Sequence, residues 1–260
     1  MSLSDRFEDA LVYATRAHAS QIRKGSGIPY VAHLLAVASL VLEDGGDEDE
    51  AIAGLLHDAV EDQGGEARLQ EIRERFGERV AAIVLECSDT DVMPKPPWRR
   101  RKEDYIAHVA TASPGAVRVS MADKLHNARA VLYDYRELGE ELWERFNPEA
   151  DQLWYYRSLI AAFAARTDGP MLAELDRVVS ELEQVAAMGA LRKLCRDAIG
   201  WVELRAGGEA VRFEPQDVED AETDEDFREL VRLARVRLYE ETGVEPGAAV
   251  SVVASWRRAS

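Results

Sequence analysis

Apolar residues recur at helical spacing through most of the first 195 positions. In SDRFEDALVYATRAHA, Phe7, Ala10, Leu11, Ala14 and Ala17 keep to one helical face, and Ser4 stands where an N-cap belongs. The polar stretch QIRKGSGI reads as a loop. Pro29 then opens a second helix, PYVAHLLAVASLVLED, at an early position where proline is tolerated. DEDEAIAGLLHDAVED follows as one helix whose acidic first turn suits the positive end of its dipole. ARLQEIRERFG and ERVAAIVLECS predict two more. Prolines 94, 96 and 97 exclude a helix from TDVMPKPPWRRRK, which reads as a loop. Helices resume at EDYIAHVATAS and, past Pro114 and Gly115, at AVRVSMADKLHNARAVLYDYRELG; two further amphipathic helices cover 149–167 and 170–198.

The pattern changes near residue 199. WVELRAGGEAVRF shows two short runs around Gly207 and Gly208, a hairpin signal. DEDFRELVRLARVRLYEE is an amphipathic helix ending at Gly243, and AAVSVVASW is apolar and β-branched, as in a strand. The expected architecture is mainly α: a helical domain over 1–195, then a small α+β unit of ββαβ order over 199–260. A chain of 260 residues is long enough for both.

Composition narrows the partners. Hydrophobic residues make up 47 % of the chain and charged residues 31 %, with a net charge of −17. Residues 1–130 hold 16 Lys/Arg against 22 Asp/Glu, and residues 131–260 hold 16 against 27, so the second half is the more acidic. General electrostatics therefore argue against nucleic acid. An anionic small molecule would need a local cationic cluster or a metal ion. Cys87 and Cys195 have neither disulfide-framework nor metal-site spacing. The N-terminus lacks a basic-then-apolar leader, and no run approaches the ~18 apolar residues of a membrane span. The expectation is a cytoplasmic protein with no membrane partner.

One stretch resists a purely structural reading. GLLHDAVEDQGG packs His57, Asp58, Glu61 and Asp62 into six positions and ends in Gly64 and Gly65. Read as the end of one helix, it places three carboxylates where the dipole prefers cations. A bound dication would offset both. All five histidines, His18, His33, His57, His108 and His126, fall in the first half. His33 lies on the Pro29 helix, His57 and Asp58 on the next, and Asp123 on a later one. Metal sites want imidazole and carboxylate groups converging in this way from separate helices. His57, Asp58 and Asp123 sit within apolar stretches, and a buried carboxylate is costly unless paired or metal-bound. Within the helices, His57 and Glu61, Asp58 and Asp62, and Asp123 and Asn127 are each i, i+4 pairs.

HASQIRKGSGIPYVAH, GLLHDAVED and ADKLHN, in this order and spacing, resemble the HD-domain hydrolases of the RelA/SpoT type. The match is best to their small stand-alone relatives, which degrade the alarmone (p)ppGpp, and it covers residues 5–180. The resemblance implies an HD-domain helical bundle with one divalent ion, usually manganese, on His33, His57, Asp58 and Asp123. It implies that Glu61 and Asp62 activate or orient the attacking water, Glu61 as the main proton handler. It implies substrate contacts from Arg23, Lys24, Tyr30, Lys95 and Asn127. The activity implied is release of pyrophosphate from the ribose 3′ position of ppGpp or pppGpp, leaving GDP or GTP. The alternatives are an HD-family phosphohydrolase acting on another nucleotide or phosphate ester, and a non-catalytic nucleotide-binding or interaction protein.

Other features stay outside this assignment. His18 reads as a second-sphere or helix-packing group and His108 as a partly buried helix residue. His126 points about 100° away from Asn127, which argues against a ligand role. WRRRK, 98–102, is either extra phosphate attraction or a basic helix start, and LWYYR, 153–157, reads as core. Arg23, Lys24, Lys95, Arg99 to Lys102, Lys124 and Arg129 are the cations available to focus a positive field on one cleft. The chain leaves no room for the synthetase domain of the long bifunctional relatives, so alarmone synthesis is not expected. For 199–260, homo-oligomerisation, a partner contact and capping of the helical core all stay open.

Overall fold

Ser4 caps the first helix, α1 (Asp5–Ala17), its side chain accepting from the Arg6 amide. The computed structural model describes residues 2–88, 96–147 and 150–197, and strands at 202–206, 209–213 and 251–254. Two compact units divide the chain, residues 1–183 and 184–260.

The loop after α1 is more ordered than its composition suggests. Ile22 and Pro29 form an isolated antiparallel bridge, and the Arg23 amide donates to the Ile28 carbonyl at 2.8 Å. Gly25 and Gly27, at φ +88° and +69°, turn the chain between them. The loop is thus a closed tip that presents Arg23 and Lys24. Pro29 belongs to this bridge rather than to the helix, so α2 (Val31–Glu43) starts two residues later than the sequence predicts. Its buried face carries His33, Leu34, Val37, Ala38 and Val41.

Asp47 and Glu50 form a capping box that starts α3 (Glu48–Leu56), in which every residue from Glu50 to Leu56 is buried. Gly54 lets α3 approach α2 closely: a Cβ there would lie 3.3 Å from the Cα of Ala38. The buried Glu50 carboxylate is met by Arg118 at 2.5 Å and Arg79 at 3.1 Å, which satisfies a charge that burial would otherwise penalise.

The predicted single helix over 47–62 is broken. After α3, His57 and Asp58 form a turn, and α4 (Ala59–Gln63) is a separate short helix. The cause is local. The Gly54 carbonyl, which a continuing helix would offer to the Asp58 amide, accepts from His57 Nδ1 at 2.9 Å. Glu61 and Asp62 therefore stand in the first turn of α4 rather than at the negative end of a long helix.

The helical layer continues with α5 (Gly65–Phe76), α6 (Glu78–Cys87), α7 (Trp98–Val109) and α8 (Pro114–Leu138). Trp98 to Lys102 form the start of α7, not the end of a loop, because a helix can begin directly after a proline. Ser113 caps α8, which packs on α2, α3 and α6 and carries Asp123 into the core. A 3₁₀ segment (Gly139–Arg145), α9 (Gln152–Ala164) and α10 (Pro170–Asp197) follow.

In the second unit, β1 (Val202–Ala206) pairs antiparallel with β2 (Glu209–Phe213) and with β3 (Ser251–Ala254), in the order β2-β1-β3. The helix predicted between β2 and β3 lies outside the described residues. No helix among the described residues is long and apolar enough to cross a membrane.

Candidate active site

The close packing of α2 on α3, with α8 across both, brings His33, His57, Asp58 and Asp123 to one point. His57 Nε2 lies 3.3 Å from His33 Nε2 and 3.0 Å from Asp58 Oδ2. Asp123 Oδ1 lies 3.3 Å from His33 Nε2 and 3.8 Å from His57 Nε2. His33, His57 and Asp123 are buried, and Asp58 is partly so.

The electrostatics ask for positive charge. Burial works against the charged form of Asp58, but His57 and His33 outweigh it and hold the carboxyl below its ordinary range. Burial likewise opposes ionisation of Asp123, and Lys124 with the two histidines holds it well below. Burial pushes the His57 imidazole down, yet Asp58 and Asp123 lift it well above its usual value. A proton on His57 and a cation between the four groups answer the same demand, so acid competes with a metal ion.

The donor set fits a divalent ion. Ligands about 2.1 Å from a shared ion lie about 3.0–3.4 Å from one another, close to the separations found. His57 Nδ1 donates to the Gly54 carbonyl, which leaves the Nε2 lone pair facing the other three groups. His33, His57 and Asp58 also stand together as a group able to hold an ion.

The surrounding contacts orient these donors. The Tyr30 hydroxyl donates to Asp58 Oδ2 at 2.5 Å, and burial together with the Asp58 charge pushes this phenol far above its ordinary range, so it stays a donor. Lys124 donates to Asp123 Oδ2 at 2.6 Å and Asn127 Nδ2 to Asp123 Oδ1 at 2.5 Å. Arg23 donates to the Asn127 carbonyl oxygen at 2.9 Å. A chain Arg23–Asn127–Asp123 thus ties the glycine loop to the candidate metal centre. Gln21 donates to Asp62 at 2.8 Å and meets His18 at 2.7 Å, which tethers the acidic turn of α4 to the end of α1. Burial, opposed by the Gln21 hydrogen bond and assisted by Asp58 and Glu61, leaves the Asp62 carboxyl raised.

His126, which its direction on α8 argues against as a ligand, stands instead behind the candidate ligand His33. Its Nδ1 lies 2.8 Å from His33 Nδ1. If His33 Nε2 offers a lone pair to an ion, its Nδ1 carries the proton and donates it to His126. Burial, then the neighbouring His33 and Arg23, push His126 down to about 4, so it is neutral and able to accept. Replacing His126 by phenylalanine keeps a ring but removes the acceptor. Metal affinity is expected to fall about 10- to 100-fold in a calorimetric titration, with partial recovery in His126→Asn. Wild-type affinity in the phenylalanine variant would rule out this orienting role.

Beside the centre lies a cavity of about 680 Å³, a size suited to a nucleotide. Of the sequence-predicted residues, Arg23, Lys24, Tyr30 and Asn127 line it, and Lys95 lies outside the described residues. Tyr155 and Tyr156 are buried, as a core reading expects, yet they also form cavity wall. Of the WRRRK cations only Lys102 lines the cavity; Arg99 pairs with Glu103 and Arg100 with Asp104 on their own helix. Arg129 pairs with Glu174, away from this wall.

A buried His/Asp cluster where α2, α8 and the turn after α3 meet, next to a cationic cavity walled by its neighbours Tyr30, Lys124, His126 and Asn127, makes a candidate metal centre. The family model for the HD domain matches residues 10–154, more than half of the chain, and the chain belongs to that family. It is 37 % identical over 124 residues to human guanosine-3′,5′-bis(diphosphate) 3′-pyrophosphohydrolase MESH1, covering 46 % of this chain and 66 % of that one. It is 33 % identical over 155 residues to a probable guanosine-3′,5′-bis(diphosphate) 3′-pyrophosphohydrolase of Synechocystis, covering 57 % of this chain and 20 % of that one. The chain therefore spans just under two thirds of the one relative and a fifth of the other. Among solved structures, a metazoan orthologue of SpoT that hydrolyses ppGpp is similar with a TM-score of 0.58 and 25 % identity, covering 70 % of this chain and 98 % of that one.

Proposed function

We propose that residues 1–195 form a manganese-dependent phosphohydrolase domain that releases pyrophosphate from the ribose 3′ position of guanosine alarmones. The observation that carries this reading is the convergence of two imidazoles and two carboxylates beside a cavity lined by Arg23, Lys24, Lys102, Lys124 and Arg145. Similarity to hydrolases of this substrate supplies its identity.

His33, His57, Asp58 and Asp123 would hold the ion, which when bound would lower the pKa of water and neutralise phosphoryl charge. Glu61, in the first turn of α4, takes the proton of the attacking water, with Asp62 supporting it from the Gln21 tether. The water oxygen bonds to the phosphorus on the ribose 3′ oxygen. That P–O bond breaks, pyrophosphate departs with the water oxygen, and the 3′ oxygen takes up the proton held by Glu61 to become a hydroxyl. Arg23 and Lys24 attract the nucleotide at the loop tip, and Tyr30 and Asn127 keep Asp58 and Asp123 aimed while forming part of the wall.

The test is turnover of ppGpp by the purified protein with Mn²⁺, with both phosphate products measured. Equimolar pyrophosphate and GDP are expected. Orthophosphate alone would shift the reading to another phosphohydrolase, and binding without turnover to a non-catalytic nucleotide-binding protein. For residues 199–260 we propose an α+β unit of ββαβ order, supported by the paired strands β1, β2 and β3.

A further inference from the structure

We propose that Arg145, together with Lys24, forms a second anion subsite in the cavity, remote from the metal centre, that takes the 5′-diphosphate of a guanosine nucleotide. This rests on the reading of the cavity as a nucleotide site.

The charge of the lining is the first observation. Five cations, Arg23, Lys24, Lys102, Lys124 and Arg145, face one carboxylate, Asp134, in a chain of net charge −17. Such a local reversal of sign concentrates anions where the rest of the surface repels them.

Four of the five cations fall into two groups along α8, and Lys102 stands apart on α7. Lys124 bonds to Asp123, and Arg23 reaches Asp123 through Asn127, so both belong to the metal end. Asp123, Asn127, Ala130 and Asp134 follow one face of the helix, and Asp134 lies 11 residues beyond Asp123, about 16 Å along the axis. Arg145 Nη1 donates to Asp134 Oδ2 at 3.3 Å, which fixes the guanidinium at the far end. A single long bond to Asp134 uses one of the five N–H groups of the guanidinium.

Gly25 is the third observation. A Cβ at this position would lie 2.6 Å from Arg145 Nη1, so the guanidinium rests directly on the loop, beside Lys24. Gly25 thus serves twice: its φ of +88° makes the turn, and its missing side chain admits Arg145. The proposed substrate carries a diphosphate on each side of its ribose. One must reach the metal centre, and the other then needs cations elsewhere. A planar guanidinium with a neighbouring ammonium suits a diphosphate.

The test compares binding of guanosine 5′-diphosphate and 5′-monophosphate to the Mn²⁺-loaded full chain by calorimetry. Wild type is expected to prefer the diphosphate by about tenfold or more. Arg145→Met, which keeps the stem packed on Gly25 but removes the charge, is expected to abolish that preference. Arg145→Lys should retain part of it, and Gly25→Ala should weaken it by displacing the guanidinium. A preference unchanged in Arg145→Met, or absent from wild type, overturns the subsite. Pyrophosphate release from ppGpp is measured separately. A preference that depends on Arg145 in a protein releasing no pyrophosphate would refute the hydrolase reading and keep the subsite; the converse would refute the subsite alone.

Discussion

Replacing Asp123 by asparagine is expected to abolish metal-dependent stabilisation and to lower turnover of ppGpp by about 10³-fold, the loss of roughly 4 kcal/mol of charge stabilisation. Asparagine is the informative substitution because alanine would strand other groups. Asp123 Oδ2 is the partner of Lys124, whose ammonium is kept charged by Asp123 against the pull of burial. Asp123 Oδ1 accepts from Asn127 and faces His33. The asparagine keeps shape and a carbonyl acceptor while removing the charge. In wild type, Mn²⁺ at 100 times its dissociation constant should add about 2.7 kcal/mol of stability. For a domain of this size that is a rise in Tm of about 5–10 °C. Scanning calorimetry with Mn²⁺ and with chelator measures both proteins. Equal Tm values for wild type in the two conditions, or an undiminished Mn²⁺ shift in Asp123→Asn, would remove the metal centre.

Glu61→Gln should separate chemistry from metal binding. Glu61 stands three residues past Asp58, in the first turn of α4. An isosteric amide there should leave metal affinity and Tm close to wild type. It cannot take a proton, so kcat should fall about 10²- to 10⁴-fold. Asp62→Asn should cost less, because Asp62 acts from within the Gln21 tether rather than as the main base. A Glu61→Gln protein with wild-type kcat and a crippled Asp62→Asn protein would reverse the two roles.

The departures from the sequence reading share a physical origin. His57 breaks the helix because its ring competes for a backbone carbonyl, and apolar periodicity does not register a side chain that replaces an amide. The proline rule says nothing against a helix that begins at Trp98, directly after Pro97. His126 is directed away from Asn127 on a single helix, yet α2 crosses α8 so that His33 turns its back nitrogen to it. Arg145 lines the cavity from the more acidic half, where a count of charges gives no reason to look for one of its cations.

By itself the sequence determined the helices with strong period, the loop that carries Arg23 and Lys24, and the donor types that fall on α2, just past α3 and on α8. These follow from local rules: spacing decides faces, caps decide ends, and residue type decides chemistry. Only the tertiary structure decided which donors meet. The absent side chain of Gly54 lets α3 approach α2, so that His57 reaches His33; the absent side chain of Gly25 lets Arg145 lie on a loop 120 residues away in sequence. Contacts of that separation depend on how helices cross, and crossing is set by packing that no local pattern contains.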